Sequence, residues 1–134
     1  MKRILIAEDD PVMARLLEFN LKRGGYAITV CRDGLTVESQ AREQPPDVAV
    51  FDLMLPGKNG QVLIELFKAD PELKDIPLIV VTGQGKEDKH DSLLSAGAHS
   101  VYTKPFSPNR LLDTIRDLLG EKDHTIPPFK RPEG

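Results

Sequence analysis

Five side chains of the sequence form a set that could bind a divalent cation and carry out phosphoryl transfer. Glu8 and Asp9 follow one short apolar segment, Asp52 follows a second, and Thr82 and Lys104 end two more. Carboxylates with water suit Mg²⁺, and a carboxylate can itself accept a phosphoryl group. The set therefore predicts a magnesium-dependent phosphoryl-transfer site with Asp52 as the candidate nucleophile.

The segments that lead to these residues have the pattern of β-strands. Residues 4–7, 48–51 and 78–81 are short continuous apolar runs, typical of strands covered on both faces. Residues 26–30 and 100–103 are more mixed and fit strands nearer a sheet edge. Five strands are therefore predicted.

Two helices between the strands have clear start signals. Asp10-Pro11 and Ser107-Pro108 each place a capping residue before a proline at the first helical position. Apolar residues follow at the spacing of a helix face that needs a sheet to cover it. In the first helix they are Val12, Leu16, Leu17 and Leu21, and in the last they are Leu111, Leu112, Ile115, Leu118 and Leu119.

Strand and helix patterns alternate along the chain, with weaker helical segments at 34–43, 59–69 and 86–96. Alternation of this kind predicts an α/β fold with a five-stranded parallel sheet and five helices. In the doubly wound, flavodoxin-like order 2-1-3-4-5, strands one and three are neighbours at the crevice where ligands bind. That order would bring Glu8 and Asp9 close to Asp52.

The strand ends carry four motifs that resemble a known family, the receiver domain of two-component response regulators, which includes chemotaxis regulators. The motifs are Ala7-Glu8-Asp9-Asp10, Asp52-Leu53-Met54-Leu55-Pro56-Gly57-Lys58-Asn59-Gly60, Val80-Val81-Thr82-Gly83, and Ala96-Gly97-Ala98 leading to Lys104-Pro105-Phe106. Each motif alone is weak, but together, in this order and at strand ends, they are specific. The resemblance covers about residues 2–120.

The resemblance implies a role for each acidic residue of the set. Asp52 would be the phosphoacceptor. Mg²⁺ would be bound by Asp9, Asp52 and the backbone carbonyl of Met54, with Glu8 acting through water. Asp10 falls outside the acidic pair, and its expected role is to cap the first helix.

The same resemblance implies that Thr82 and Lys104 contact the phosphoryl group. Gly83 would be the small residue beside the switch threonine, and the Lys104-Pro105 peptide bond is expected to be cis. One departure concerns the position three residues before the lysine, where the family often has an inward-turning Phe or Tyr. This chain has Val101, and the neighbouring Tyr102 should face the opposite side of its strand. The conformational change on phosphorylation has two possible routes here. One is repacking of Val101, and the other is a movement of segment 86–96.

The implied function is a phosphoacceptor signalling switch. A sensor histidine kinase or histidine phosphotransfer protein would transfer a phosphoryl group to Asp52. Transfer would change the surface formed by the fourth helix, fifth strand and fifth helix, about residues 86–120, which a downstream protein target reads. The chain would not be an enzyme beyond Mg²⁺-dependent self-phosphorylation from small phosphodonors and self-dephosphorylation.

Three other functions fit the sequence less well. A haloacid-dehalogenase-like phosphatase also uses an aspartyl nucleophile, but it needs a second Asp where this chain has Met54. A phosphorylation-independent interaction module is suggested only by Val101. A flavin-binding flavodoxin is disfavoured because the acidic first loop would repel the cofactor's phosphate.

The composition of the chain limits its expected ligands and cellular compartment. The 134 residues include 18 basic and 21 acidic side chains, for a formal charge of −3, and no Lys/Arg-rich segment predicts direct nucleic-acid binding. One cysteine, Cys31, excludes an internal disulfide and fits a reducing cytoplasm. No apolar run approaches 18 residues, so no membrane insertion is expected. His90, His99 and His124 are scattered and are interpreted as surface residues.

The predicted organisation is one receiver domain over residues 1–120 and a proline-rich tail or truncated linker over 121–134. No DNA-binding or enzymatic output domain follows Gly120 in this sequence. The chain is therefore expected to be either a stand-alone receiver or a receiver excised from a longer protein.

Overall fold

The computed structural model of the chain describes residues 1–83 and 87–120. Five strands form one parallel sheet in the order β2-β1-β3-β4-β5. The strands are β1 (Arg3–Ala7), β2 (Ala27–Cys31), β3 (Val48–Asp52), β4 (Leu78–Thr82) and β5 (Ser100–Thr103). The predicted strand number, direction and order are confirmed. The predicted tail, 121–134, lies outside the described residues.

Burial separates the central strands from the edge strands. All five residues of β3 and of β4 are buried, and so are four of the five residues of β1. In β2 and β5 most residues are only half-buried. This difference confirms the sequence reading, since strands covered by helices on both faces need continuous apolar runs.

The helices are α1 (Pro11–Arg23), α2 (Val37–Glu43), α3 (Gly60–Ala69), α4 (His90–Ala96) and α5 (Pro108–Leu118), with one 3₁₀ turn, Glu87–Lys89, before α4. Asp10, Asn59 and Ser107 cap α1, α3 and α5 by accepting a backbone hydrogen bond through the side chain. The second helix starts at Val37 rather than at 34. Gly34 lies in the loop before this helix and makes a close contact with the loop after β3. This contact is described below.

Two apolar layers cover the sheet. One contains Leu5, Phe51, Phe67 and Leu93 and lies under α2, α3 and α4. The other contains Ile4, Ile6, Leu17, Leu21, Val50, Leu111 and Ile115 and lies under α1 and α5. Val101 packs in the first layer and Tyr102 in the second. The prediction that these two neighbours face opposite sides of β5 is therefore confirmed.

The prediction for α1 is only partly right. Ala14, Leu17 and Leu21 are buried. Val12 and Leu16 are 75% and 43% exposed. Successive residues of a helix turn by about 100°, so Val12 and Leu16 fall on the side of α1 opposite to Leu17 and Leu21. The two outward residues satisfy the helical spacing but do not face the sheet.

In the described ranges 1–83 and 87–120, every helix is too short or too polar to cross a membrane.

Candidate functional site

Three carboxylates meet at the carboxyl ends of β1 and β3. Glu8, Asp9 and Asp52 each offer one carboxylate oxygen, and these oxygens all lie within 4.8 Å of one another. Glu8 and Asp52 are buried, with 2% and 6% of their surfaces exposed, whereas Asp9 is exposed. The pairing of β1 with β3 produces this meeting, because it aligns Ala7 with Phe51 and so places the residues that follow side by side.

Backbone groups hold Glu8 in this cluster. Its N–H donates to the carbonyl oxygen of Cys31 at 3.0 Å, and its Oε2 accepts from the N–H of Asp10 at 3.1 Å. Burial is the main cause that raises the pKa of Glu8 to about 6, and the nearby charge of Asp52 adds to the effect. The Asp10 N–H and the charge of Lys104 lower this pKa. Glu8 is thus a carboxylate whose charge is costly in the absence of a cation.

Lys104 supplies the positive charge of the site. Its Nζ lies 3.3 Å from Glu8 Oε1 and 3.5 Å from Asp52 Oδ2. Burial lowers the pKa of Lys104, but the charges of Asp52 and Glu8 outweigh it and hold this pKa above its usual value. The backbone N–H of Lys104 donates to the carbonyl oxygen of Thr82 at 2.7 Å, and the Lys104-Pro105 peptide bond is cis.

Asp52 and the loop after it are held by neighbouring backbone. Asp52 Oδ1 accepts from the N–H of Met54 at 3.2 Å. The N–H of Leu53 donates to the carbonyl oxygen of Val81 at 2.8 Å. The Met54 side chain is 61% exposed, so this residue reaches the site through its backbone.

Gly34 fixes the loop after β2 against the loop after β3. Its N–H donates to the carbonyl oxygen of Pro56 at 2.8 Å. A Cβ at Gly34 would lie 2.0 Å from the carbonyl oxygen of Lys58. Only glycine permits this approach without movement of the backbone.

Thr82 is completely buried, and its Oγ1 has no hydrogen-bond partner within residues 1–83 and 87–120. A buried hydroxyl without a partner carries a desolvation cost. Thr82 ends β4, one residue after Val81, which pairs with Asp52 of β3. The adjacent Gly83 has open space where a Cβ would stand, so sterics alone do not explain a glycine here.

The aromatic side chain near the site lies on the far side of the sheet from Val101. The Tyr102 hydroxyl hydrogen-bonds with the Thr114 hydroxyl and lies 3.3 Å from the carbonyl oxygen of Arg110. The Tyr102 ring packs edge-to-face against the Phe106 ring, with the two ring centroids 5.9 Å apart. These contacts tie Tyr102 to α5. Val101 is half-buried in the other layer, so the position three residues before Lys104 presents an aliphatic side chain to that layer.

Two contacts near the site have no signal in the sequence. Arg32, in the loop after β2, donates to the backbone carbonyl of Asp9 at 3.0 Å. His90 is half-buried, and its Nε2 lies 3.0 Å from Thr103 Oγ1, next to Lys104. His90 is half-buried rather than fully exposed, His99 is exposed, and His124 lies outside the described residues.

The donor set fits a hard divalent cation. All three converging side chains offer carboxylate oxygens, which Mg²⁺ and Ca²⁺ prefer to nitrogen or sulfur ligands. Two of the three carboxylates are buried, and the pKa of Glu8 is raised in part by the charge of Asp52. A cation in the crevice would offset this repulsion.

Comparison with known proteins agrees with this geometry. The family model described as "Response regulator receiver domain" matches residues 4–116. The chain is 33% identical over 123 residues to the "DNA-binding dual master transcriptional regulator RpaA" of Synechocystis sp., covering 92% of this chain and 51% of that protein. It is 31% identical over 120 residues to the "Polar-differentiation response regulator DivK" of Brucella anthropi, covering 90% of this chain and 98% of that protein.

A solved structure has the same fold. The receiver domain of sensor histidine kinase PA1611 from Pseudomonas aeruginosa PAO1, described with a magnesium ion coordinated in its active-site cleft, superimposes with a TM-score of 0.81 at 27% identity. The alignment covers 89% of this chain and 98% of that one. The chain spans about half the length of RpaA and nearly all of DivK. Fold, crevice and family model agree that the chain belongs to the response regulator receiver domains of two-component signalling.

Proposed function

We propose that the chain is a phosphoacceptor switch in which Asp52 receives a phosphoryl group from a histidine kinase or a histidine phosphotransfer protein. One observation carries the proposal: the buried Asp52 carboxylate lies beside both an acidic pair and the ammonium of Lys104. An aspartate that only shaped a turn would not need both an acidic pair and an ammonium group beside it. In-line phosphoryl transfer depends on such positioning and charge rather than on an elaborate set of catalytic groups.

The transfer step forms a bond between a carboxylate oxygen of Asp52 and phosphorus. The bond from phosphorus to the donor histidine nitrogen breaks, and its electron pair returns to the imidazole, which takes up a proton. With acetyl phosphate the broken bond is phosphorus to oxygen, and acetate leaves. The product in both cases is an aspartyl phosphate on this chain.

Asp9, Asp52 and the backbone carbonyl of Met54 would hold Mg²⁺, with Glu8 acting through water. The ion would neutralise charge on the phosphoryl oxygens. The magnesium ion described for the PA1611 receiver domain supports this assignment, and so does the all-carboxylate donor set.

Lys104 and Thr82 would respond to the new phosphoryl group. Lys104 already lies 3.5 Å from Asp52 Oδ2, so a small movement would pair its ammonium with a phosphoryl oxygen. The buried Thr82 hydroxyl lacks a partner within the described part of the chain and would donate to another phosphoryl oxygen. Gly83, the next residue, has open space where a Cβ would stand.

The response would reach partners through α4, β5 and α5. An open cavity of about 510 Å³ lies on this face and is lined by residues of all three elements, including His90, Val101 and Arg110. Val101 leaves this face without the inward-turning aromatic ring common in the family. The contact between His90 and Thr103 joins α4 to β5 next to Lys104 and is the candidate link between the site and this surface.

The remaining parts of the proposal concern organisation. Residues 1–120 would form the receiver domain, and 121–134 would be a tail or linker. Small phosphodonors would phosphorylate Asp52 with Mg²⁺, and the acyl phosphate would hydrolyse without another enzyme. Action in the cytoplasm fits the single free cysteine, Cys31.

Intact-mass analysis after incubation with acetyl phosphate tests the proposal. We expect one phosphoryl adduct that requires Mg²⁺ and is absent in Asp52→Ala. Asp47→Ala is the matched control, because Asp47 is an acid at the opposite end of the same strand, where it accepts from the N–H of Arg3. An unchanged adduct in Asp52→Ala would refute the assignment. Absence of any adduct, together with failure to bind beryllofluoride and Mg²⁺, would refute the switch.

A further inference from the structure

Helix α1 presents an apolar surface that the described domain leaves open. Val12, Leu16 and Phe19 are 75%, 43% and 59% exposed, and we call them the α1 patch. With Pro11 and Arg15 they line a shallow groove of about 530 Å³. The three side chains share one face because helical residues three and four apart are neighbours. Contiguous exposed apolar surface of this kind typically marks a binding site.

The α1 patch lies on the helix that is adjacent to α5, the last element of the described chain. Gly24, at the end of α1, lies so close to Leu112 that a Cβ on the glycine would be 2.8 Å from Leu112 Cδ1. Both helices follow parallel strands and cover the same sheet face. They therefore run in the same direction, and the chain leaves Gly120 beyond the end of α1.

The segment that continues from Gly120 carries one apolar cluster. Residues 126–129 are Ile-Pro-Pro-Phe, within a stretch that is otherwise mainly charged or small. Proline-rich apolar segments bind aromatic-lined grooves at a low entropic cost, because their backbone is restricted before binding. Phe19 provides an aromatic ring in the groove, with the Arg23 guanidinium 5.6 Å from its centroid.

The length of the segment is sufficient for it to reach the patch. Phe129 is the ninth residue after Gly120, and an extended chain of that length spans about 30 Å. Along α1, the eight residues from Gly24 back to Leu16 rise only about 12 Å. Leu112 is level with Gly24, so the eight residues from Leu112 to Gly120 carry the chain about 12 Å beyond the end of α1. The return from Gly120 to the level of Leu16 is therefore about 24 Å, and only a nearly fully extended segment places Phe129 beside Leu16 and Ile126 beside Phe19.

The charges of segment 121–134 favour a course from the end of α1 towards its start. Glu121, Lys122 and Asp123 precede the apolar cluster with a net charge of −1, and the end of α1 that they would pass carries Lys22 and Arg23. Lys130, Arg131 and Glu133 follow the cluster with a net charge of +1. The start of α1 that they would approach is preceded by two acids, 9 and 10. A segment running from the end of α1 towards its start thus places opposite charges together at both ends.

We infer that segment 121–134 binds the α1 patch of its own chain, with Ile126 to Phe129 covering Val12, Leu16 and Phe19. The occupant is argued from the exposed groove, the point where α5 ends, the length of the segment and the match of charges. The inference does not depend on phosphorylation of Asp52.

Amide chemical shifts of the ¹⁵N-labelled full chain test this inference in both directions. Phe129→Ser should shift the amide signals of residues 12–19. Leu16→Ser should shift those of residues 126–129. Leu94→Ser is the matched control, because Leu94 on α4 is a leucine of nearly equal exposure, 44%. It should leave 126–129 unchanged.

The two shifts should be reciprocal and independent of protein concentration. Far-ultraviolet circular dichroism checks that both variants retain the helices, so unfolding would not imitate the result. Absence of both reciprocal shifts would overturn the inference. Shifts that disappear on dilution would also overturn it, because they would show a second copy of the chain on the patch.

Discussion

The ammonium group of Lys104 lies 3.3 Å from the carboxylate of Glu8. Glu8 is almost completely buried, so this contact compensates a charge that water cannot reach. Replacement of Lys104 by methionine would retain most of the side-chain volume and remove the compensation. We expect Lys104→Met to lower the free energy of unfolding at pH 7 by about 1–3 kcal/mol without metal.

Urea denaturation in the presence of EDTA measures this change. Lys58→Met is the matched control, because Lys58 Nζ lies 2.8 Å from Glu38 but both side chains are more exposed. An exposed pair contributes less than about 1 kcal/mol. Equal losses in the two variants would contradict the role assigned to Lys104.

The pH dependence of metal-free stability should carry the signature of Glu8. Its pKa is about 6 in the folded chain, against 4.5 for an unperturbed glutamate. Folding therefore favours the protonated form, and the stability associated with it is complete below pH 4.5 and lost as the pH rises to about 6. The shift corresponds to about 2 kcal/mol.

Glu8→Gln imitates the protonated form and should remove this dependence. The variant should be more stable than the parent at pH 7 by about 2 kcal/mol and equally stable near pH 4. Urea denaturation of both proteins across this range in EDTA gives the difference directly. A constant difference at all pH values would show that burial does not raise the pKa of Glu8.

Adjacent acids should have separate effects. Asp10 accepts a hydrogen bond from the N–H of Val12 at 3.0 Å and caps α1, so Asp10→Ala should cost about 1 kcal/mol of stability. It should leave Mg²⁺ affinity nearly unchanged. Asp9→Ala should do the reverse, with little loss of metal-free stability and a large loss of Mg²⁺ affinity.

Isothermal titration calorimetry with Mg²⁺ and urea denaturation in EDTA separate these two effects. Two results would contradict these assignments. One is a loss of Mg²⁺ affinity in Asp10→Ala with a loss of stability in Asp9→Ala. The other is an equal loss of Mg²⁺ affinity in both variants.

Two glycines near the site should tolerate alanine very differently. A Cβ at Gly34 would lie 2.0 Å from the backbone carbonyl oxygen of Lys58, so Gly34→Ala must move backbone and should cost more than about 2 kcal/mol. A Cβ at Gly83 would meet nothing within 4 Å, so Gly83→Ala should change stability by less than about 0.5 kcal/mol. Urea denaturation of the two variants tests both expectations, and a large loss for Gly83→Ala would contradict the open space seen there.

The sheet could be predicted because each strand had its own local signal. Buried parallel strands need continuous apolar runs, and chemically capable residues followed those runs directly, as Asp52 follows the apolar run 48–51. The orientation of α1 was not predictable in the same way. Val12 and Leu16 have helical spacing, and so do Leu17 and Leu21, and only packing on the sheet decides which pair is buried.

Side-chain contacts between separate parts of the chain were also not predictable. Arg32 reaches the backbone of Asp9 across 23 positions of the sequence, and His90 reaches Thr103 across 13. Neither residue belongs to a periodic pattern or to a motif. Such contacts follow from how the helices and loops lie once the sheet has formed, and a polar residue outside a motif gives no sign of its partner.

The close approach of Gly34 to Pro56 and Lys58 has a consequence for protein engineering. Loop 53–59, which follows Asp52, is shaped partly by the backbone of another loop. A chimera that exchanges 53–59 for the corresponding loop of a different receiver domain would bring a foreign backbone against Gly34. The transplantable unit is therefore the pair of loops, 32–35 together with 53–59.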